Sequence, residues 1–113
     1  MSNCFLVPGG KLIPGESLVS PNGKYTFALN LDGSLTLVGP GVNQTLSQAA
    51  QVGCLVMQSD GNLVLYDSNQ HELWQTKTWN NASFLVIQDD GNAVIYKQNN
   101  IWDTGTSQQV NSC

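Results

Sequence analysis

The sequence predicts an all-β chain of three similar units, each built on a hairpin, packed face-inward about a common axis. Three observations carry this. Apolar, β-prone runs flank Asp-Gly pairs, as Leu55-Val56-Met57 and Leu63-Val64-Leu65 flank Asp60-Gly61, and no helical apolar period of useful length occurs. The stretch from Gln58 to Tyr66, read as Gln-x-Asp-x-Asn-x-Val-x-Tyr, returns from Gln88 to Tyr96. A weaker copy runs from Asn30 to Val38, and Asp32, Asp60 and Asp90 are 28 and then 30 residues apart. Periodicity of that length marks one supersecondary unit used repeatedly, here within a single domain expected to span residues 1–113.

Parity sets the loop length of each hairpin. A two-residue loop at Asp60-Gly61 would send Gln58 and Asn62 to opposite faces and mix polar with apolar on both. A three-residue loop, Ser59-Asp60-Gly61, pairs Gln58 with Asn62, Val56 with Val64 and Cys54 with Tyr66. The other face is then wholly apolar: Met57, Leu63, Leu55 and Leu65. In the third unit the same rule pairs Gln88 with Asn92, Val86 with Val94 and Phe84 with Tyr96, leaving Ile87, Ala93, Leu85 and Ile95 inside. In the first it places Leu29, Leu35, Phe27 and Leu37 inside. Gly33, Gly61 and Gly91 then occupy the left-handed position of a bulged turn. A trailing element also repeats: Trp74-Gln75-Thr76-Lys77-Thr78 matches Trp102-Asp103-Thr104-Gly105-Thr106, with Leu46 at the Trp place of unit one. These two Trp and Leu46 are expected to meet near the axis as core. Trp79 has no repeat partner and is expected to pack at an edge, the alternative being that it extends a site.

Composition narrows the function. The chain is 41% hydrophobic and only 11% charged, about half the usual charged fraction. It has four Lys, no Arg and a net charge of −4. A nucleic-acid partner is not expected without a basic stripe, nor is membrane insertion without an apolar run of roughly 18 residues. No basic segment followed by an apolar stretch opens the chain, so the expectation is a cytoplasmic or non-classically secreted protein, or a mature secreted form with an added Met. Cys4, Cys54 and Cys113 allow at most one internal pair. Cys4 and Cys113 could join the termini or bridge two chains, or all three could be free thiols.

The repeat holds the polar residues of its outer face while the apolar or turn-forming positions between them drift, which points to chemistry rather than packing. Amides that donate and accept, a carboxylate that accepts, a phenol that does either and an aliphatic patch suit a hexose. Phosphate is a poor match without a cation or nest, and calcium without several oxygens per site. No metal or other cofactor is expected. A glycosidase would need two carboxylates flanking one bond. Asp89-Asp90 is matched only by Ser59-Asp60, and His71 sits in a polar loop, so an enzyme is not expected.

These residues resemble the mannose-binding motif of the monocot mannose-binding lectins, the snowdrop or bulb type with a B-lectin domain. Two complete motif copies, Trp-x-Thr-x-Thr after each, and Leu12-x-x-Gly15-x-x-Leu18 carry the resemblance over about residues 11–107. It implies a β-prism II fold of three four-stranded antiparallel sheets about a pseudo-threefold axis. It also implies metal-free binding of terminal α-mannose on glycans, an agglutinin or defence role, and homodimers formed by exchange of C-terminal strands. By the same resemblance Asp60 and Asn62 meet the axial O2 of mannose, Gln58 reaches O3, Tyr66 reaches O4 and Val64 covers the ring carbons. Gln88, Asp90, Asn92, Val94 and Tyr96 repeat these roles. Unit one departs from the motif: Asn30, Asp32, Ser34, Thr36 and Val38 keep only the aspartate, and that site is expected to be degenerate. The family's cysteine in the first turn is Gly33 here, so its usual disulfide cannot form and Cys54 is expected to be free. The competing reading is a prism used as a scaffold or protein-interaction module with little sugar binding.

Overall fold

The computed structural model describes residues 4–79 and 83–97. Among these residues eleven strands follow one another without a helix: β1 (Phe5–Leu6), β2 (Lys11–Leu12), β3 (Glu16–Val19), β4 (Thr26–Leu29), β5 (Ser34–Gly39), β6 (Val42–Gln48), β7 (Val52–Met57), β8 (Leu63–Asp67), β9 (Glu72–Gln75), β10 (Ser83–Ile87) and β11 (Ala93–Lys97). They form three antiparallel sheets. Unit one is β3-β4-β5-β6, unit two is β2-β7-β8-β9, and unit three, among the described residues, is β1-β10-β11. The expected outer strand of unit three, with Trp102, Thr104 and Thr106, lies outside the described residues, as do the C-terminal segment and Cys113.

Each central hairpin takes the register that parity requires. Val56 pairs with Val64, Leu55 with Leu65 and Met57 with Leu63. Val86 pairs with Val94 and Phe84 with Tyr96, and Leu29 pairs with Leu35. The turns close by backbone bonds from Gln58 N to Asn62 O (3.0 Å), Gln88 N to Asn92 O (2.9 Å) and Asn30 N to Ser34 O (2.8 Å). Gly33, Gly61 and Gly91 have φ of +92°, +91° and +90°, a region costly for any residue with a Cβ.

The inner faces meet in one core. Leu29, Leu35, Leu55, Met57, Leu65 and Ile87 have no exposed surface, and Phe27, Leu63 and Leu85 almost none. Ala93 and Ile95 are only half-buried and pack against this cluster, as do Leu46 and Trp74. Trp74 pairs with the buried Leu65 across β8 and β9, so it shares the inner face and serves as core. Trp79, expected to pack at an edge or to extend a site, is 60% exposed.

One part of the topology is not legible in the sequence pattern. The N-terminal segment crosses both other units and supplies their first strands. Phe5 and Leu6 pair with Val86 and Leu85, and Lys11 and Leu12 pair with Val56 and Leu55. Bonds from Ile87 N to Cys4 O (2.8 Å) and Met57 N to Gly10 O (2.9 Å) extend both ladders. Cys4 is disulfide-bonded, which removes the reading of three free thiols, while Cys54 is a free thiol. At Gly33 a Cβ would lie 2.1 Å from the Ala49 carbonyl oxygen, so this backbone admits no larger residue there.

Candidate functional site

The same turn chemistry aims all three aspartates. Each accepts, on Oδ1, the backbone N–H two residues on: Asp32 from Ser34 (2.9 Å), Asp60 from Asn62 (2.9 Å) and Asp90 from Asn92 (3.0 Å). This side-chain-to-backbone turn is one that Asp forms readily. It fixes the carboxylate at the hairpin tip, beside the outer face.

In units two and three the Gln and Tyr of that face are joined. Gln58 Nε2 donates to the Tyr66 hydroxyl, and Gln88 Nε2 donates to the Tyr96 hydroxyl. Each Gln and Tyr stand two residue pairs apart on one face, so the bond bridges the Val pair between them. The hydroxyl keeps its own proton for an outside acceptor, and Gln keeps its carbonyl oxygen. A carboxylate, an amide and a phenol therefore converge on one patch, twice.

The two patches are unlike in depth. Asn62 is 3% exposed and Val64 is 1% exposed, whereas Asn92 is exposed and Val94 half-buried. Val64 therefore backs the patch from beneath instead of offering ring-facing surface. It lies under the Gln58–Tyr66 bridge, between Val56 and Gln75, its partners on either side. Asn62 Nδ2 donates to Gln75 Oε1 (2.9 Å). Its Oδ1 accepts the backbone N–H of Lys77 (2.8 Å) and Thr78 (3.3 Å), with the Thr76 hydroxyl at 3.4 Å. Thr76 Oγ1 also accepts from Leu63 N (3.2 Å) and bonds Thr78 Oγ1 (2.7 Å), and Thr78 Oγ1 donates to Gly61 O (2.9 Å). Gln75, Thr76 and Thr78 thus hold the motif asparagine. Their sequence signal was the Trp-x-Thr-x-Thr repeat, legible only as a trailing element until its hydroxyls are seen to point back at the turn.

Unit three is braced from unit one. The Asn22 N–H donates to Asp89 Oδ1 (2.8 Å), and Asn22 Nδ2 reaches the Asp89 carbonyl (3.3 Å). A Cβ at Gly91 would meet the Tyr25 ring at 2.9 Å, so Tyr25 fits here only over a glycine. Phe84 and Tyr96 stack obliquely with centroids 6.1 Å apart.

Unit one is satisfied internally. Asn30 Nδ2 donates to Ser34 Oγ (3.0 Å) and Thr36 Oγ1 (2.9 Å). The Ser34 hydroxyl donates to Asp32 Oδ1 (2.6 Å). That hydroxyl first, and the Ser34 N–H second, hold the Asp32 carboxyl below its ordinary value of 3.8. Val38, at the Tyr position, is exposed and offers no polar atom. Outside the motif, His71 sits 3.5 Å from Asp67 on an exposed turn. Among the described residues no group of three or more His, Cys, Asp or Glu could hold a metal ion.

Three hairpin-built sheets about one core, each with a polar outer face beside an Asp-Gly tip, define the β-prism II class. No protein-family model matches the chain, and no curated protein matches it. Solved structures do. A lectin from garlic (Allium sativum) is 32% identical, with 90% of this chain and 100% of that one covered and a TM-score of 0.76. A monomeric monocot mannose-binding lectin from Gastrodia elata is 33% identical over 92% and 98%, with a TM-score of 0.73. The mannose-specific agglutinin of snowdrop (Galanthus nivalis) bulbs, solved with methyl α-D-mannoside, is 30% identical over 93% and 98%, again with a TM-score of 0.73. The chain belongs to the monocot, or bulb-type, mannose-binding lectin family.

Proposed function

We propose that this chain is a metal-free lectin with two working sites for terminal α-mannose, in units two and three. The observation that carries the reading is the repeated constellation on two outer faces. Asp60 and Asp90 are aimed by the same turn bond, and Gln58–Tyr66 and Gln88–Tyr96 are joined the same way. In this reading Asp60 and Asp90 accept from the axial O2 hydroxyl. Gln58 and Gln88 serve O3, and Tyr66 and Tyr96 donate to or accept from O4. Asn92 and Val94 contact sugar directly, whereas Asn62 and Val64 shape their site from below, with one Asn62 amide proton left to reach O2. An equatorial O2 would leave the carboxylate and amide without a partner once the bound sugar covers them, at about 1–3 kcal/mol for each group so shut off from water, which separates mannose from glucose.

Unit one is read as inactive because its donors and acceptors already satisfy one another. Hydrolysis is not part of the reading: Asp89 caps Asn22 and has no counterpart carboxylate in unit two. A homodimer formed through the C-terminal segment would give four sites. Binding to clustered mannose could then exceed single-site affinity by roughly 10²–10⁴-fold, which suits agglutination in defence.

Titration with methyl α-mannoside and methyl α-glucoside tests the core of this. Mannoside should bind at two sites per chain, and the double variant Asp60→Ala, Asp90→Ala should bind neither sugar. Substantial mannoside binding by the double variant would assign a live site to unit one and sink the two-site reading. Equilibrium sedimentation tests the dimer, with a monomer as the refuting result.

A further inference from the structure

Among the described residues, the one large aromatic side chain left mostly in water near a site is Trp79, at 60% exposed. It follows directly on Thr78. The Thr78 N–H donates to Asn62 Oδ1 (3.3 Å) and the Thr78 hydroxyl donates to Gly61 O (2.9 Å). Both bonds run to the Asp60-Gly61-Asn62 turn, so the Trp79 Cα stands one peptide, about 3.8 Å, from a residue tied to the hairpin tip of the unit-two site. The neighbouring Lys77 is fixed to the same asparagine (2.8 Å) and has a left-handed φ of +59°. The segment carrying Trp79 is therefore held in place, and the clamp that buries Asn62 is what holds it.

Among the described residues, Trp79 is not one of the side chains packed against the core. Alignment on the trailing element puts Gln51 and Ser107 at the equivalent places of units one and three. The indole is therefore peculiar to the unit-two site. An indole presents a broad apolar face that covers C–H surface and an N–H that donates one hydrogen bond. A pyranose offers both a C–H face and hydroxyl acceptors.

We propose that Trp79 is the platform of a second sugar subsite adjoining the unit-two site, so that this site takes an oligomannoside of two or more residues while unit three reads a single terminal mannose. The proposal rests on the mannose reading above. In it the Asp60 patch holds the terminal residue and Trp79 stacks on the next one along the glycan.

The test uses the full chain carrying Asp90→Ala, so that unit three is silent. Calorimetric titration compares methyl α-mannoside with an α-linked trimannoside, before and after adding Trp79→Ala or Trp79→Phe. Trp79→Ala should weaken trimannoside binding about 3- to 10-fold and leave the monosaccharide within about twofold. Trp79→Phe should recover most of the loss. Indole emission should shift with trimannoside and not with monosaccharide, and Trp79→Phe should abolish that shift. Equal losses for both sugars, or none for either, would overturn the subsite while leaving the mannose site standing. If the Asp90→Ala chain binds neither sugar, the unit-two site itself is refuted and the subsite with it.

Discussion

Replacing Asn62 with alanine should cost far more stability than replacing Asn92, although the two hold the same place in the repeat. Asn62 is 3% exposed and makes three well-formed side-chain bonds: to Gln75 Oε1 (2.9 Å), from Lys77 N (2.8 Å) and from Thr78 N (3.3 Å). A buried bond of this kind contributes about 0.5–1.5 kcal/mol net. Losing the three together should cost about 2–4 kcal/mol. Asn92 is exposed, so water can serve whatever the truncation leaves, and its loss should stay below about 1 kcal/mol. Urea unfolding followed by tryptophan fluorescence measures both, and with an m-value of about 1–3 kcal/mol/M the Asn62→Ala midpoint should fall by roughly 1–2 M. Hydrogen exchange adds a local reading: the Lys77 and Thr78 amides should lose protection in Asn62→Ala while those of β7 change only with global stability. If Asn62→Ala costs no more than Asn92→Ala, the clamp is not what holds residues 75–78, and the account of why the two patches differ is wrong.

Further expectations follow from the same geometry. Gly33→Ala should destabilise by more than about 3 kcal/mol, because the new methyl would meet the Ala49 carbonyl at 2.1 Å and φ is +92°. Gly23→Ala, at φ +76° with open space around it, should cost only about 1–2 kcal/mol; equal melting temperatures for the two variants would contradict this. The Asp32 carboxyl, held below 3.8 by Ser34, is depressed on folding, so its stabilising contribution is present above that value and lost as pH falls through the lower folded one. Ser34→Ala should return the Asp32 titration, followed by NMR, toward 3.8 and leave the folded chain less sensitive to acid in that range, and an unchanged titration would remove Ser34 as the cause. Leu55→Ala and Met57→Ala, both without exposed surface, should each cost about 2–5 kcal/mol in calorimetric melts. A loss under 1 kcal/mol at both would mean that the inner face is not the core.

Much of the fold was legible because hairpin geometry is local. Side chains alternate with period two, so the loop length that segregates Leu55, Met57, Leu63 and Leu65 from Gln58, Asn62 and Tyr66 is the one the chain adopts. An Asp two residues before a backbone N–H captures it whatever lies farther away, and all three turns do so. The place of Trp74 could also be read, since its offset in the repeat is that of a core position. Trp79 could not. Nothing within its own neighbourhood says how far another element covers it, and it is left 60% exposed.

The sequence by itself determined the hairpins, their register, the face that becomes core and the polar constellation on the other face. Each of these depends on residues within one turn and two strands, where covalent geometry leaves few choices. Only the tertiary structure decided which sheets receive β1 and β2, because two-residue ladders pair through backbone atoms that every residue carries. It also decided that Asp89 caps Asn22 across units and that Asn62 and Asn92, alike in the repeat, differ in burial. Those outcomes depend on which distant groups arrive at a given polar atom, and burial then sets how much each group is worth.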